Sequence, residues 1–171
     1  MYWLLRNEMT PKPAFNEYAW IAGGRNPWKL SYSAWSQWGL SWFDAVYDGA
    51  TGGTTGQGRN LEAIQVRLSD EYRTQYPTLK VCYAVWVHNV GASTACDGGT
   101  AGVTGQGVTL ESFRVWLENA PPGLMICYTP HFANTGWSAD AVCSTSISQG
   151  PWQGSASTTL EAVSIRLLDE S

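Results

Sequence analysis

Three glutamates, ten tryptophans and a scatter of Asp, Asn and Gln residues are the side chains with which this sequence could do chemistry. Glu62, Glu111 and Glu161 each follow a leucine at the head of an alternating apolar run, residues 61–68, 110–117 and 160–167. A carboxylate on an apolar face must be hydrogen-bonded or neutralised. The amides of the glycine-rich turns just upstream, residues 53–58 and 102–107, could supply donors, as could threonine hydroxyls or an indole N–H. We expect the three glutamates to be structural clamps between turn and strand; the alternative is that they accept ligand hydroxyls at the turn. Glycoside hydrolysis needs two carboxyl groups about 5–9.5 Å apart. Three related copies spread around a ring do not offer that pair, so no catalytic residue is expected.

The tryptophans suggest a different use. Trp35 and Trp86 occupy one repeat position, which His131 takes in the third copy. Trp137 marks a second position, matched by Ala92 and, with one residue of slippage, by Trp42. Flat sugar faces stack on indoles, while Asp, Asn and Gln hydrogen-bond the hydroxyls. Asp48, Asp97, Asn89 and Asn134 recur beside these rings, with Gln57, Gln106 and Gln153 nearby. The candidate ligand-binding set is therefore Trp35, Trp42, Asp48, Trp86, Asn89, Asp97, His131, Asn134 and Trp137. The plainer alternative is that these rings pack the core or the contacts between repeats.

Other functions find little support. Charged residues are 14% of the chain, the net charge is −4, and Lys and Arg form no run, which argues against nucleic acid and anionic membrane surfaces. No apolar stretch approaches the roughly 20 residues of a spanning helix, so membrane insertion is not expected. His88 and His131 sit at different repeat positions, and the Asp-Gly pairs lack the spacing of a calcium loop. No metal or cofactor is expected. The first residues do not read as a signal peptide, because Glu8 and Pro11 follow almost at once. Either the chain is already processed or export takes another route, such as release of a viral particle by lysis.

The elements that must position these residues come from a block that recurs three times, at residues of about 29–70, 79–119 and 124–169. Each runs from an aromatic-bearing strand through a glycine-rich turn to a Leu-Glu strand. Alternation of period two places Tyr32, Tyr83 and Tyr128 with aliphatics on one face and Trp35, Trp86 or His131 on the other. The spacing predicts an all-β fold, with the three repeats in a pseudo-threefold, β-prism-like or β-trefoil-like arrangement; a sandwich is the alternative. Residues 69–77 and 119–123 read as polar connectors. Residues 1–28, rich in Trp and Pro, form an N-terminal segment that packs on the repeats or on a neighbouring subunit.

Four cysteines allow three pairings, and only Cys82–Cys96 with Cys127–Cys143 respects the repeat. The first copy holds Ser31 and Tyr47 at these positions, so both partners are absent together, as a disulfide requires. Each bridge closes a loop of about 15 residues, worth roughly 3 kcal/mol in the chain-entropy model. Four buried free thiols are the alternative. Disulfides imply an oxidising, extracellular setting: secreted, cell surface or virion surface.

The succession Tyr-x-x-(His/Trp), Asn-x-Gly-Trp, Asp-Gly, Gly-x-Thr-Gly-Gln-Gly and Leu-Glu-Ala-Ile resembles the clostridial hydrophobic, or hydrophobic-W, repeat. Three copies would cover about residues 30–168. The resemblance rests on such residues as Tyr32, Trp42, Asp48, Gln57 and Glu62, Tyr83, Asn89, Asp97, Gln106 and Glu111, and Tyr128, His131, Asn134, Trp137 and Glu161. It implies a secreted or surface-attached protein that serves adhesion or polysaccharide binding. Ala92 replaces the signature tryptophan, Ser144 replaces the Asp-Gly aspartate, and the paired cysteines are an addition. The expected function is a non-enzymatic, extracellular carbohydrate-binding, lectin-like or adhesive module whose partner is a cell-surface or extracellular polysaccharide. The alternative is a structural subunit of a fibre, sheath or phage particle that self-associates through the same aromatic faces and residues 1–28.

Overall fold

A computed structural model describes residues 28–145 and 149–169. The expected packing of the N-terminal segment falls, apart from Trp28, outside the described residues. The chain folds as the alternation predicts, into antiparallel sheets. Strands β1 (Leu30–Ser36), β2 (Ser41–Trp42), β3 (Val46–Tyr47), β4 (Gly52–Gly53) and β5 (Leu61–Leu68) come from the first copy. The second supplies β6 (Lys80–Val87), β7 (Gly91–Cys96), β8 (Ala101–Gly102) and β9 (Leu110–Glu118). The third supplies β10 (Leu124–Phe132), β11 (Gly136–Trp137), β12 (Val142–Ser144), β13 (Gln153–Gly154) and β14 (Leu160–Asp169).

Each copy centres on one long antiparallel pair: β1 with β5, β6 with β9, and β10 with β14. The short strand of each glycine turn leaves its own sheet. β8 pairs with β5, β13 with β9, and β4 with β14. Every copy thus completes the sheet of the one before it, and the first completes the last. The donated edges cap strands that would otherwise expose unpaired amides. Gly53, Gly102 and Gly154 make the crossing, with φ of +100°, +107° and +117°. A Cβ at each would collide with the carbonyl oxygen of Glu161, Glu62 and Glu111 respectively, so only glycine fits.

The inner faces meet in one core. Tyr32, Ile64 and Val66 pack there with Tyr83, Val85 and Phe113, and with Ile126, Tyr128 and Ile165. The central pairs share one irregularity. Trp35 faces Ala63 while Ser36 faces Leu61, Trp86 faces Ser112 while Val87 faces Leu110, and His131 faces Ala162 while Phe132 faces Leu160. The residues skipped are Glu62, Glu111 and Glu161, the extra members of three β-bulges. The slip shifts the alternation by one, so Leu61, Leu110 and Leu160 enter the same core as Ile64, Phe113 and Val163. Strict period two would place them on the opposite face.

The disulfides are Cys82–Cys96 and Cys127–Cys143. Each joins directly opposed residues of adjacent strands, and Ser31 opposes Tyr47 at the same register in the first sheet. There the Trp28 ring packs on Tyr47 at 4.9 Å instead. One connector differs from expectation. Residues Asp70–Gln75 form a short helix, α1, whose N-cap Ser69 accepts a hydrogen bond from the Tyr72 amide at 3.2 Å. The Tyr72 hydroxyl then donates to Asp169 at 3.0 Å, tying the helix to the last strand.

Three buried tyrosines hold the ring together. The Tyr32 hydroxyl donates to Ala50 O and accepts from the Ile165 amide at 3.1 Å. Tyr83 donates to Gly99 O, and Tyr128 to Pro151 O at 2.7 Å. The amides of Val66 and Val115 serve Tyr83 and Tyr128 as Ile165 serves Tyr32. Each phenol therefore bridges its own turn to the last strand of the preceding sheet. Burial pushes Tyr32 and Tyr128 up to about 12, and Tyr83 upward too.

Two outcomes follow. The folded chain holds these protons more tightly than the unfolded one, so the stabilisation is whole below about pH 10 and is lost between about pH 10 and 12. Urea midpoints measured across that window should fall, and by less in a Tyr32→Phe, Tyr83→Phe, Tyr128→Phe variant; a flat profile would contradict the phenol bridges. Gly102→Ala should destabilise by about 2 kcal/mol or more, through backbone strain and the clash with Glu62 O. Substitution at Gly107, whose Cβ meets nothing within 4 Å, should cost only the strain of its positive φ.

Candidate functional site

The bulge glutamates are buried, between 1% and 6% exposed, and their partners locate the junctions between sheets. Glu62 Oε1 accepts from the Gly105 amide at 3.0 Å, and Glu161 Oε1 from the Gly56 amide at 3.2 Å. The donors are turn amides, as expected, but not those just upstream. Glu62 is served by the turn of the second copy, and Glu161 by the turn of the first. The donated strand explains the difference, since it carries its Gly-Gln-Gly turn over the neighbouring bulge. The Thr54 and Val103 amides add bonds to the same residues, on Glu161 O at 3.3 Å and Glu62 O at 3.2 Å.

Glu111 has another partner. Eight residues separate Gly53 from Leu61 and Gly102 from Leu110, but only six separate Gly154 from Leu160. The shortened third turn lacks the Gly-Gln-Gly segment, and His88 Nδ1 lies 2.5 Å from Glu111 Oε2 in its stead. Thr158 Oγ1 donates to Glu111 O at 2.7 Å. His131 Nδ1 stands 3.4 Å from Glu161 Oε1.

The expected ring positions coincide in register. Trp35 opposes Trp42 with ring centroids 5.8 Å apart, and His131 opposes Trp137 at 5.1 Å, both edge to face. Trp86 opposes Ala92. The slippage at Trp42 is absorbed by a hairpin loop one residue longer than those after β6 and β10. Trp86 and Trp137 are 43% and 41% exposed, so these indoles do reach solvent. Asn89 and Asn134 sit at the tips of the β6–β7 and β10–β11 hairpins with positive φ, a conformation Asn tolerates well.

Asp48 and Asp97 behave differently from the expected hydroxyl partners. Asp48 accepts from the Lys29 and Leu30 amides at 3.0–3.2 Å, and Asp97 from the Val81 amide at 3.1 Å. The following glycine amides, Gly49 and Gly98, donate to Ile165 O and Val66 O at 2.8 Å. These Asp-Gly turns fasten strand starts and inter-sheet contacts. Neither aspartate borders the groove described next.

Between the first two sheets lies an open groove of about 700 Å³, lined by the apolar Trp42, Val90, Val103 and Val108 and the polar Gln65, Thr100, Thr104 and Gln106. It brings the edge indole of one copy against the donated turn of the next. Gln65 Nε2 donates to Thr100 Oγ1 at 2.8 Å across the junction. Sequence reasoning named Trp42 and Gln106 and missed the rest, because Gln65 and Thr100 meet only through strand donation. It also missed Arg114 and Trp152. The Arg114 guanidinium lies 4.7 Å from the Trp152 ring and 5.4 Å from Trp116, and Trp152 meets Trp86 edge to face at 6.1 Å.

The clamp can be tested directly. Glu62→Ala should lower stability by about 1–3 kcal/mol in urea, because it strips the Gly105 amide of its partner and leaves a gap at the bulge. Thr74→Ala, on the exposed side of the short helix, should change it by less than about 0.5 kcal/mol.

Among the described residues, no group of His, Cys, Asp and Glu could hold a metal ion, and no helix is long and apolar enough to cross a membrane. The two disulfides fit an oxidising compartment. No curated protein and no solved structure matches the chain significantly. Two segments, residues 39–70 and 86–119, match the family described as Clostridial hydrophobic W.

Proposed function

We propose that this chain is an extracellular, non-enzymatic carbohydrate-binding module that serves adhesion to a surface or extracellular polysaccharide. The observation that carries the reading is the groove at the first junction. There an indole, Trp42, stands beside two amides and two hydroxyls, Gln65, Gln106, Thr100 and Thr104. An apolar platform edged by neutral hydrogen-bonding groups complements a sugar ring, whose faces are apolar and whose rim is hydroxyl. The similarity of residues 39–70 and 86–119 to hydrophobic-W segments and the disulfides agree with a surface location.

A second reading, a subunit of an extracellular assembly, is favoured by one specific feature. The β1–β2 hairpin tip presents Trp38 and Leu40 at 70% and 62% exposure, an apolar pair suited to covering by another chain. The two readings separate experimentally. On a glycan array the intact chain should bind, and Trp42→Ala should weaken the hits roughly tenfold or more, the loss of about 1.4 kcal/mol of stacking. Trp38→Ser with Leu40→Ser should leave them unchanged. An array without hits, together with oligomers that dissociate in the Trp38/Leu40 variant, would replace the lectin reading by the assembly one.

A further inference from the structure

We propose that the groove between the first two sheets takes an uncharged oligosaccharide, and that the corresponding place between the second and third sheets is occupied by the chain's own Trp152 and Arg114. This rests on the carbohydrate-binding reading and narrows it to one junction and one class of glycan.

Two repeat positions decide what each junction contains. The first lies four residues after the leading leucine and holds Gln65, Arg114 or Ser164. The second lies two residues before the crossing glycine and holds Thr51, Thr100 or Trp152. At the first junction these are Gln65 and Thr100, small polar groups joined by one hydrogen bond. They leave the groove open above them. At the second junction they are Arg114 and Trp152, a planar cation against an indole. Trp116 and Trp86 extend this stack on either side, and Trp152 packs on the cluster that includes Cys82 and Cys96. A ligand entering there would have to displace cation–π and edge-to-face contacts that the protein already makes.

The groove's lining sets the ligand's charge. None of its residues is ionisable. A uronate or sulfated sugar placed there would shed water from its anion and find no cation to pair with. Neutral hydroxyls both donate and accept, as do the amides of Gln65 and Gln106 and the hydroxyls of Thr100 and Thr104. The junction between the third and first sheets is not equivalent. Arg59 stands there at the repeat position of the groove's Val108.

The test titrates the intact chain, by tryptophan fluorescence and calorimetry, with neutral probes (cellohexaose, mannohexaose and N-acetylated chitohexaose) and anionic ones (hexagalacturonate and a heparin hexasaccharide). At least one neutral probe should bind. Trp42→Ala and Gln65→Arg, the latter importing the residue of the closed junction, should each weaken it roughly tenfold. Trp152→Ala should leave its affinity within about twofold. Gln65→Arg alters a partly exposed strand position, so its fold is checked by the urea midpoint. Anionic probes that bind as tightly as neutral ones would overturn the assignment while leaving the carbohydrate reading standing. So would neutral binding that survives both groove variants or is lost in Trp152→Ala. Failure of every probe, neutral and anionic, would overturn both.

Discussion

A buried phenol that hydrogen-bonds two different repeats is the interaction on which the rest of this structure depends. Tyr32, Tyr83 and Tyr128 lie in the common core, where a hydroxyl without partners costs of the order of 1–3 kcal/mol. One copy alone meets half the requirement, through the carbonyl of its own turn. The other half is the amide of Ile165, Val66 or Val115, on the last strand of the preceding copy. The same logic governs Glu62 and Glu161, whose carboxylates reach amides that only a neighbour can bring. Three incomplete units therefore close on one another, and the polar groups of the core are met by the ring rather than by any single member of it.

Much of this was legible in the residues. Alternation identified the strands and most of their faces, though not the bulges that turn Leu61, Leu110 and Leu160 inward, and the paired absence of cysteine at Ser31 and Tyr47 pointed to the bridges that form. The coincidence of Trp42, Ala92 and Trp137 in register followed from counting with one residue of slip. What escaped has a common physical origin. Every copy offers nearly the same donors and acceptors, so a glutamate's own turn and its neighbour's turn look alike on paper. Only the crossing strand decides between them, and a two-residue strand carries almost no pattern of its own. The helix Asp70–Gln75 escaped for another reason, since six polar residues show no periodicity until Ser69 caps them and Tyr72 finds the core edge.

The junctions also show how a repeated scaffold acquires asymmetry. Bulge, crossing glycine and phenol bridge are kept in all three sheets because each solves a backbone problem that cannot be left open. Outward positions carry no such obligation and have diverged. Arg114 with Trp152 makes a packed stack, whereas Gln65 with Thr100 makes a shelf beside an open space. The shortened third turn, with His88 taking the place of a turn amide at Glu111, shows the same freedom one layer further in. Part of a clamp can be exchanged when its charge still finds a donor.

The closing contacts have a temporal side. Tyr32 meets Ile165 across 133 residues, and Gly56 meets Glu161 across 105. Contacts between adjacent copies span far less chain, as the 43 residues between Glu62 and Gly105 illustrate. During synthesis the second and third units can dock on their predecessors as they emerge. The first unit's short strand, by contrast, has nowhere to go until the final strand has left the ribosome. Long loop closure is slow, so β4 spends the translation of some hundred residues as an unclaimed edge. The chain is most exposed to mispairing with a sister molecule during that interval, and only its last strand ends it.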